Sequence, residues 1–205
     1  MSWAAPGVAQ PASAAPSAPA ASAPATPAPA ADHAPRVYAL SVGASYLFSS
    51  RLPLSENGRE PHMFGVQVGT RLGWQVRGLA GGDPASVGFE LDFLAQPSAR
   101  VRDSYAMIYG VFAKHAFLSR LRVHPFISYG LGAAQVWVSE VDGRGIGHAT
   151  RLTFGVDIGL SERLQLSVAL SYQGIFMPNF GFDDRPARNT NFHGCVLSTG
   201  VWFGR

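Results

Sequence analysis

Residues 63–77, MFGVQVGTRLGWQVR, alternate between apolar positions and small or polar positions along their whole length. Successive side chains of a β-strand point to opposite faces, so this stretch predicts a strand with two chemically different faces. The apolar face carries Phe64, Val66, Val68, Thr70, Leu72, Trp74 and Val76. The other face carries Gly65, Gln67, Gly69, Arg71, Gly73, Gln75 and Arg77. An apolar outside with a small, polar inside is typical of a strand in a membrane-spanning β-barrel.

The same alternation recurs along the chain from Val37 onward and predicts eight strands. They cover residues 37–48, 63–77, 87–95, 105–117, 123–138, 151–160, 164–173 and 192–203. In the fourth strand the pattern is less regular, because Ile108 and Phe112 then face inward. Connections after the second, fourth and sixth strands are short, and loops are predicted at residues 49–61, 97–103, 141–147 and 176–190. An even strand count with this asymmetry predicts an all-β fold, an eight-stranded antiparallel up-and-down transmembrane β-barrel.

Aromatic side chains on the apolar faces fall near the two ends of the predicted strands. One rim carries Tyr38, Trp74 and Phe117, and the other carries Phe48, Phe64, Phe93, Tyr105 and Tyr172. Aromatic girdles at both membrane interfaces are expected of a transmembrane barrel.

The composition excludes several other classes of protein. Among 205 residues only 14% are charged, and no run of about 18 apolar residues predicts a transmembrane helix. The basic residues, Lys114 and fifteen Arg, are scattered, so nucleic-acid binding is not predicted. The single cysteine, Cys195, excludes an internal disulfide and a cysteine-based zinc site. The six His residues lack metal-ligand spacing, and no cofactor is predicted.

The N-terminal segment differs from everything that follows it. Residues 1–36 consist almost entirely of Ala, Pro and Ser, which cannot bury enough apolar surface to fold. We predict a disordered tail or linker over residues 1–36 and a barrel over residues 37–205. The start has no basic segment followed by an apolar segment, as a signal peptide would. A start that lacks its leader and a mature tail both remain open.

The folded part resembles the eight-stranded outer-membrane barrels typified by the OmpA transmembrane domain and OmpX. The resemblance rests on the alternating strands, on the last strand, and on the segment HPFISYGLG at residues 124–132. It implies an integral protein of the Gram-negative outer membrane, with the tail in the periplasm. The implied partners are outer-membrane lipid and lipopolysaccharide, and the barrel-assembly machinery during insertion. The implied function is non-enzymatic: to stabilise the membrane or to present external loops for adhesion.

Six charged side chains fall on the inward faces: Arg71, Glu90, Asp92, Lys114, Arg151 and Asp157. An eight-stranded barrel is only wide enough for side chains to fill, and buried charges must be paired. We therefore predict a structural ion network, in which Arg71 pairs with Glu90, Asp92 or both. A narrow gated ion channel and a catalytic pair of Glu90 with Asp92 are the alternatives. Inward charges argue against a soluble lipocalin-like barrel, whose interior would be apolar.

Two short pairs and one charged segment also have functional interpretations. His193 with Cys195, and His148 with Thr150, place a base near a nucleophile, as in the lipid A-modifying barrel enzymes (deacylases or acyltransferases). Packing at the membrane face is the simpler interpretation of both pairs. The predicted last loop carries Asp183, Asp184, Arg185 and Arg188. These residues are candidates for an extracellular binding site for cations, lipopolysaccharide phosphates or an unknown partner, and solvated loop charge is the simpler interpretation.

Overall fold

The computed structural model of the chain describes residues 36–49, 62–77, 83–96, 104–138, 143–182 and 185–204. They form eight strands: β1 (Arg36–Ser49), β2 (His62–Arg77), β3 (Pro84–Gln96), β4 (Ser104–Ala116), β5 (Val123–Val138), β6 (Gly143–Ser161), β7 (Leu164–Phe182) and β8 (Arg185–Gly204). Each strand pairs antiparallel with its neighbours in sequence, and β8 pairs with β1 to close the barrel. The predicted eight-stranded antiparallel barrel is confirmed. No helix in the described ranges is long and apolar enough to cross a membrane.

The burial of side chains follows the predicted alternation. From Glu90 to Gln96 on β3, and along β4 except at Gly110, every second residue is buried, and the residues between them are exposed or half-buried. Exposed apolar side chains cover the outer wall, with Phe64 70% and Phe154 56% accessible. In water such a wall would be strongly unfavourable, whereas in a bilayer it contacts acyl chains. The described barrel is therefore apolar outside and polar inside, the construction of a membrane-spanning barrel.

The connections that follow β2, β4 and β6 lie at one end of the barrel, and two of them are joined by hydrogen bonds. Leu118, in the turn between β4 and β5, has a φ of 54°, in the left-handed region that few non-glycine residues adopt. Asp83, just before β3, accepts hydrogen bonds from the backbone N–H groups of Leu118 and Ser119 and from the Ser119 hydroxyl. This carboxylate therefore connects two turns that are far apart in sequence.

Two predicted loops are wrong in part. Most of residues 176–190 lies in strands, because β7 continues to Phe182 and β8 begins at Arg185. Shifts of register between Met177 and Phe182 absorb the irregular segment that the sequence suggested was a loop. Similarly, β6 begins at Gly143, inside the loop predicted at residues 141–147. The loops predicted at residues 49–61 and 97–103, apart from Ser49, lie outside the described residues.

The inner wall is not polar throughout. Towards the long-connection end of the strands it carries an apolar cluster, which we call the apolar lid: Leu47, Leu94, Ala106, Ile108, Ala134, Val136, Ala149, Ile175, Met177 and Phe192. Leu94, Ala134 and Met177 have no accessible surface. Ile108 thus faces inward, as the pattern predicts, and the irregularity of the fourth strand has a packing reason.

Candidate functional site

All six charged residues predicted for the interior lie on the inner wall, where they form two groups. One group, which we call the upper network, consists of Arg71, Glu90, Asp92 and Arg151. The other, the lower network, contains Lys114 and Asp157. The six side chains carry three positive and three negative charges, so the charge that they bring into the barrel is balanced.

In the upper network Arg151 lies between two carboxylates. Its Nη2 is 2.8 Å from Glu90 Oε2 and also pairs with an oxygen of Asp92. Arg71 approaches Glu90 from the other side, with Nε 3.3 Å from Oε2. Glu90 and Asp92 face inward two residues apart on β3, and β2 brings Arg71 directly opposite Glu90. Arg151 comes from β6, on the far side of the interior, so it connects opposite walls of the barrel.

Glycines on the inner wall make room for the two carboxylates. A Cβ added at Gly69 would collide with Oδ1 of Asp92, and one added at Gly130 would collide with Oε1 of Glu90. Because Glu90 is bonded to Arg71 and Arg151, it cannot move aside without breaking an ion pair. The small residues of the inner face are therefore part of the same site as the charges.

The lower network is centred on Asp157, which is 1% exposed. Lys114 Nζ lies 2.6 Å from Asp157 Oδ2, and the Ser167 hydroxyl donates to Oδ1. The Nε2 atom of His124 is 3.7 Å from Oδ2, and its Nδ1 is 3.1 Å from the carbonyl of Leu121. Cation, hydroxyl and imidazole together surround the carboxylate, as a buried anion requires.

Aromatic rings separate the two networks. Lys114 Nζ lies 4.1 Å from the ring centroid of Phe126 and 3.9 Å from that of Trp202. The guanidinium carbon of Arg71 is 5.9 Å from the rings of both Phe112 and Trp202. Cation–π attraction of this kind contributes more when water is excluded. The inward position of Phe112, predicted as an irregularity, thus supports Arg71, whereas Trp202 contacts the cations of both networks.

Sequence reasoning missed the roles of His124 and Trp202. Both lie on the inward parity of their strands, His124 with Ser128 on β5 and Trp202 with Ser198 on β8. Extending the alternation to the strand ends would have placed them inside. It would not have shown that Trp202 contacts Lys114 and Arg71, since these residues come from three different strands.

Among the described residues, two small cavities lie next to the ion networks. One, of about 30 Å³, is lined by Arg71, Arg151, Thr153 and serines of several strands. The other, of about 70 Å³, lies at the short-connection end next to Lys114, His124 and Asp157. Trp202 lines both cavities, so its indole lies between them. Beyond the upper network the interior is lined by the apolar lid together with the buried amides of Gln67 and Gln96.

The two base–nucleophile pairs lie on the outer wall rather than in the interior. His148 and Thr150 face outward on β6, and His193 and Cys195 face outward on β8. The His193 Nδ1 atom is 2.9 Å from the Tyr172 hydroxyl, a hydrogen bond that holds the imidazole against β7. Among the described residues no three His, Cys, Asp or Glu side chains are grouped to hold a metal ion.

The candidate extracellular residues are only partly described. Asp183 and Asp184 lie outside the described residues. Arg185 and Arg188 belong to β8, where they pair with Phe182 and Phe180 of β7, rather than to a loop.

Fold and interior together define an eight-stranded transmembrane β-barrel whose interior is filled by side chains. No protein-family model and no curated protein sequence matches the chain. Among solved structures, Neisserial surface protein A is similar at a TM-score of 0.54 and 17% identity, over 81% of this chain and 96% of that one.

Two further structures have related folds. The N-terminal β-barrel domain of Pseudomonas aeruginosa OprF gives a TM-score of 0.48 at 14% identity, over 83% of this chain and 97% of that one. The outer-membrane enzyme PagL gives a TM-score of 0.48 at 12% identity, over 80% of this chain and 97% of that one. The similarity to Neisserial surface protein A, together with the closed eight-stranded ladder, shows the fold of the eight-stranded outer-membrane barrels.

Proposed function

We propose that this chain is a non-enzymatic integral protein of the bacterial outer membrane, which stabilises the membrane or presents its external connections for adhesion. The observation that carries the proposal is the filled interior. Among the described residues, balanced and mutually paired charges occupy the middle of the interior, and the apolar lid lies above them. Such an interior supports a structural role better than transport.

The two longest connections, residues 50–61 and 97–103, leave the same end of the barrel and support an orientation, whereas the connections after β5 and β7 are short. Short turns face the periplasm in outer-membrane barrels, and long connections face outward. The end held by Asp83 would then be periplasmic, and Arg36, the first residue of β1, lies at that end. The tail of residues 1–35 would therefore begin in the periplasm. The partners are outer-membrane lipid and lipopolysaccharide, the assembly machinery during insertion, and an external partner of unknown identity.

A gated ion channel is the second candidate, because the two networks offer alternative partners to the cations. Arg151 already contacts two carboxylates, and a shift of Arg71 towards Asp92 would exchange one pair for another. In this case the apolar lid is the barrier, since it has no polar atoms to replace the hydration of an ion.

Conductance in planar bilayers separates these functions. We expect the parent protein to show no discrete openings. The double variant Leu94→Ala with Ile175→Ala removes two large side chains from the apolar lid, and it would conduct ions if the lid is the barrier. The double variant Leu91→Ala with Leu170→Ala removes apolar side chains from the outer wall instead and serves as the control. Openings in the parent protein would favour the channel. Altered lipid A mass in cells that express the parent protein would instead favour a lipid A-modifying enzyme.

A further inference from the structure

The turn between β4 and β5 exposes large apolar side chains at the end of the barrel. Its residues 117–122, FLSRLR, which we call the arginine turn, include Leu118 at 60% and Leu121 at 56% exposure. The turn between β6 and β7 exposes Glu162 and Arg163 instead. Leucine side chains lose free energy when water surrounds them, so a turn that lies wholly in water favours polar residues. The arginine turn therefore points to an apolar environment at its own level.

Two arginines lie beside these leucines. Arg120 and Arg122 are exposed, and among the described residues neither forms an ion pair with an Asp or Glu. The Nε atom of Arg122 donates to the carbonyl of Gly159 at 3.3 Å, which orients the guanidinium and directs its two terminal nitrogens elsewhere. A guanidinium binds phosphate through parallel N–H donors. The arginine turn thus combines apolar side chains with donors that suit an anionic oxygen ligand.

The arginine turn is held in one conformation by several hydrogen bonds. The N–H of Phe117 donates to the carbonyl of Pro125, and the N–H of Leu121 donates to that of Leu118, each at 2.9 Å. Asp83 accepts from the N–H of Leu118, whose φ of 54° lies in the left-handed region. Backbone strain of this kind is found preferentially at ligand-binding sites. A turn that only connected two strands would not need a leucine at this position.

The strands place the arginine turn at the level of the membrane surface. On β4 and β5 the odd-numbered residues face outward, and Phe117 and Leu121 continue this parity where the two strands meet the turn. Phe117 belongs with the exposed Tyr38 and Trp74 to the aromatic girdle of this end. Aromatic girdles lie at the level of the lipid headgroups. Arg120, which follows Phe117 at the tip of the turn, therefore lies at the level of the lipid phosphates.

The surface around the arginine turn is positively charged. Among the described residues at the surface of this end, Arg36 and Arg163 are also exposed, and the carboxylates are Glu162 and Asp83. Together with the two arginines of the turn, four cations thus face two carboxylates, and Asp83 already accepts three hydrogen bonds from the turn. Basic residues next to a bilayer are attracted to anionic lipids. The excess positive charge therefore favours an anionic headgroup over a zwitterionic one.

From these observations we infer that the arginine turn binds the headgroup phosphate of an anionic phospholipid in the leaflet at the short-connection end. Arg120 and Arg122 donate to the phosphate oxygens, while Leu118 and Leu121 contact the upper part of the acyl chains. The assignment of this leaflet to the periplasmic side rests on the proposed function, whereas the binding itself requires only the barrel in a bilayer. Such a contact would fix the depth of this end of the barrel in the membrane.

The test counts the phospholipids that stay bound to the barrel. The full chain is placed in nanodiscs of phosphatidylcholine with phosphatidylglycerol as a minor component, and the lipids that the protein retains are counted by native mass spectrometry. The double variant Arg120→Gln with Arg122→Gln removes both donors. The control, Arg185→Gln with Arg188→Gln, removes the same charge from β8 at the other end. We expect the ratio of retained phosphatidylglycerol to phosphatidylcholine to fall about fivefold for each arginine removed from the turn, and to stay unchanged in the control.

Hydrogen exchange of the parent protein tests the proposal even where the double variant fails to insert. The amides of the arginine turn should exchange more slowly in nanodiscs that contain phosphatidylglycerol than in phosphatidylcholine alone. Equal exchange in the two bilayers, or equal retention of phosphatidylglycerol by the double variant and the parent, overturns the inference and assigns the exposed leucines to contact with a protein. An equal loss in the control shows a general effect of net charge and also contradicts it. The heat-modifiable gel shift of each variant reports insertion, and conductance tests the proposed function, so the two failures are distinguishable.

Discussion

At the scale of single residues, Arg151 holds together more of the interior than any other side chain in the upper network. It neutralises two carboxylates from the opposite wall, whereas among the described carboxylates Arg71 forms an ion pair with Glu90 and keeps 15% of its side chain exposed. The sequence predicted that Arg71 pairs with Glu90, Asp92 or both, but Arg151 is the residue that connects the two walls.

Replacing Arg151 by Met is expected to cost about 3–5 kcal/mol of unfolding free energy, because Asp92 is left buried without a cation. Arg71→Met should cost less, since Glu90 keeps Arg151. Adding Asp92→Asn to Arg151→Met should recover much of the loss, because Arg71 still compensates Glu90. Urea unfolding in lipid vesicles measures all three variants, and equal stability of Arg151→Met and the parent would show that the network is not structural.

A second residue-scale prediction concerns the inner glycines. Gly130→Ala should destabilise the barrel by about 1–3 kcal/mol, because the new methyl group displaces Glu90 from its two arginines. Gly174→Ala on the outer wall is the matched control and should change stability by less than about 0.5 kcal/mol. A similar loss for both variants in vesicle unfolding would contradict the assignment of faces.

At the scale of elements, successive side chains of each strand point alternately to the lipid and to the interior that holds the ion networks. The prediction concerns Val68 on β2 and Val156 on β6, which face outward in the middle of their strands with 47% and 38% exposure. Arg at either position should cost about 2–4 kcal/mol, as expected near the bilayer midplane. Val76→Arg, at the end of β2, should cost at most about 1 kcal/mol. Equal urea midpoints of unfolding in vesicles for all three variants would show that Val68 and Val156 do not face the middle of the bilayer.

The hydrogen bonds of Asp83 predict that the stability of the turns depends on pH. Hydrogen bonds from the Ser119 hydroxyl and the Ser119 and Leu118 amides hold the pKa of Asp83 below its usual value. Because the pKa is lowered on folding, the contribution of Asp83 is complete above the unfolded value of about 3.9 and is lost as the pH falls through the folded pKa. We expect hydrogen exchange at Ser119 to lose protection only below about pH 4. In Asp83→Asn the protection should be lower and no longer depend on this titration.

At the scale of the whole molecule, the strand pairs of the described residues close the barrel between Arg36 and Gly204. Deleting residues 1–35 is therefore expected to leave the urea midpoint and the heat-modifiable gel shift of the refolded barrel unchanged. Deleting residues 1–49 removes β1 as well and should abolish the shifted band, since the barrel cannot close. A marked loss of stability in the shorter deletion would mean that the tail contributes to the barrel.

The sequence by itself determined the features that depend on neighbours along the chain. Alternation at Phe64, Val66 and Val68 against Gln67 and Gly69 is a local property, so strand number and the face of each residue could be predicted. Loop lengths were less reliable. At residues 176–190, β7 and β8 stay paired through shifts of register that the alternation of residues along the sequence does not predict.

Only the tertiary structure decided which charges meet. Arg71 and Glu90 are partners across one hairpin, and the sequence could place them together. Arg151 with Asp92, and Lys114 with Asp157 and Trp202, come from strands that are not neighbours in the sheet. Their contacts depend on the stagger of strands around the closed barrel, which sets the height of every inward residue. That stagger belongs to the ring of eight strands as a whole, so no segment of the sequence carries it.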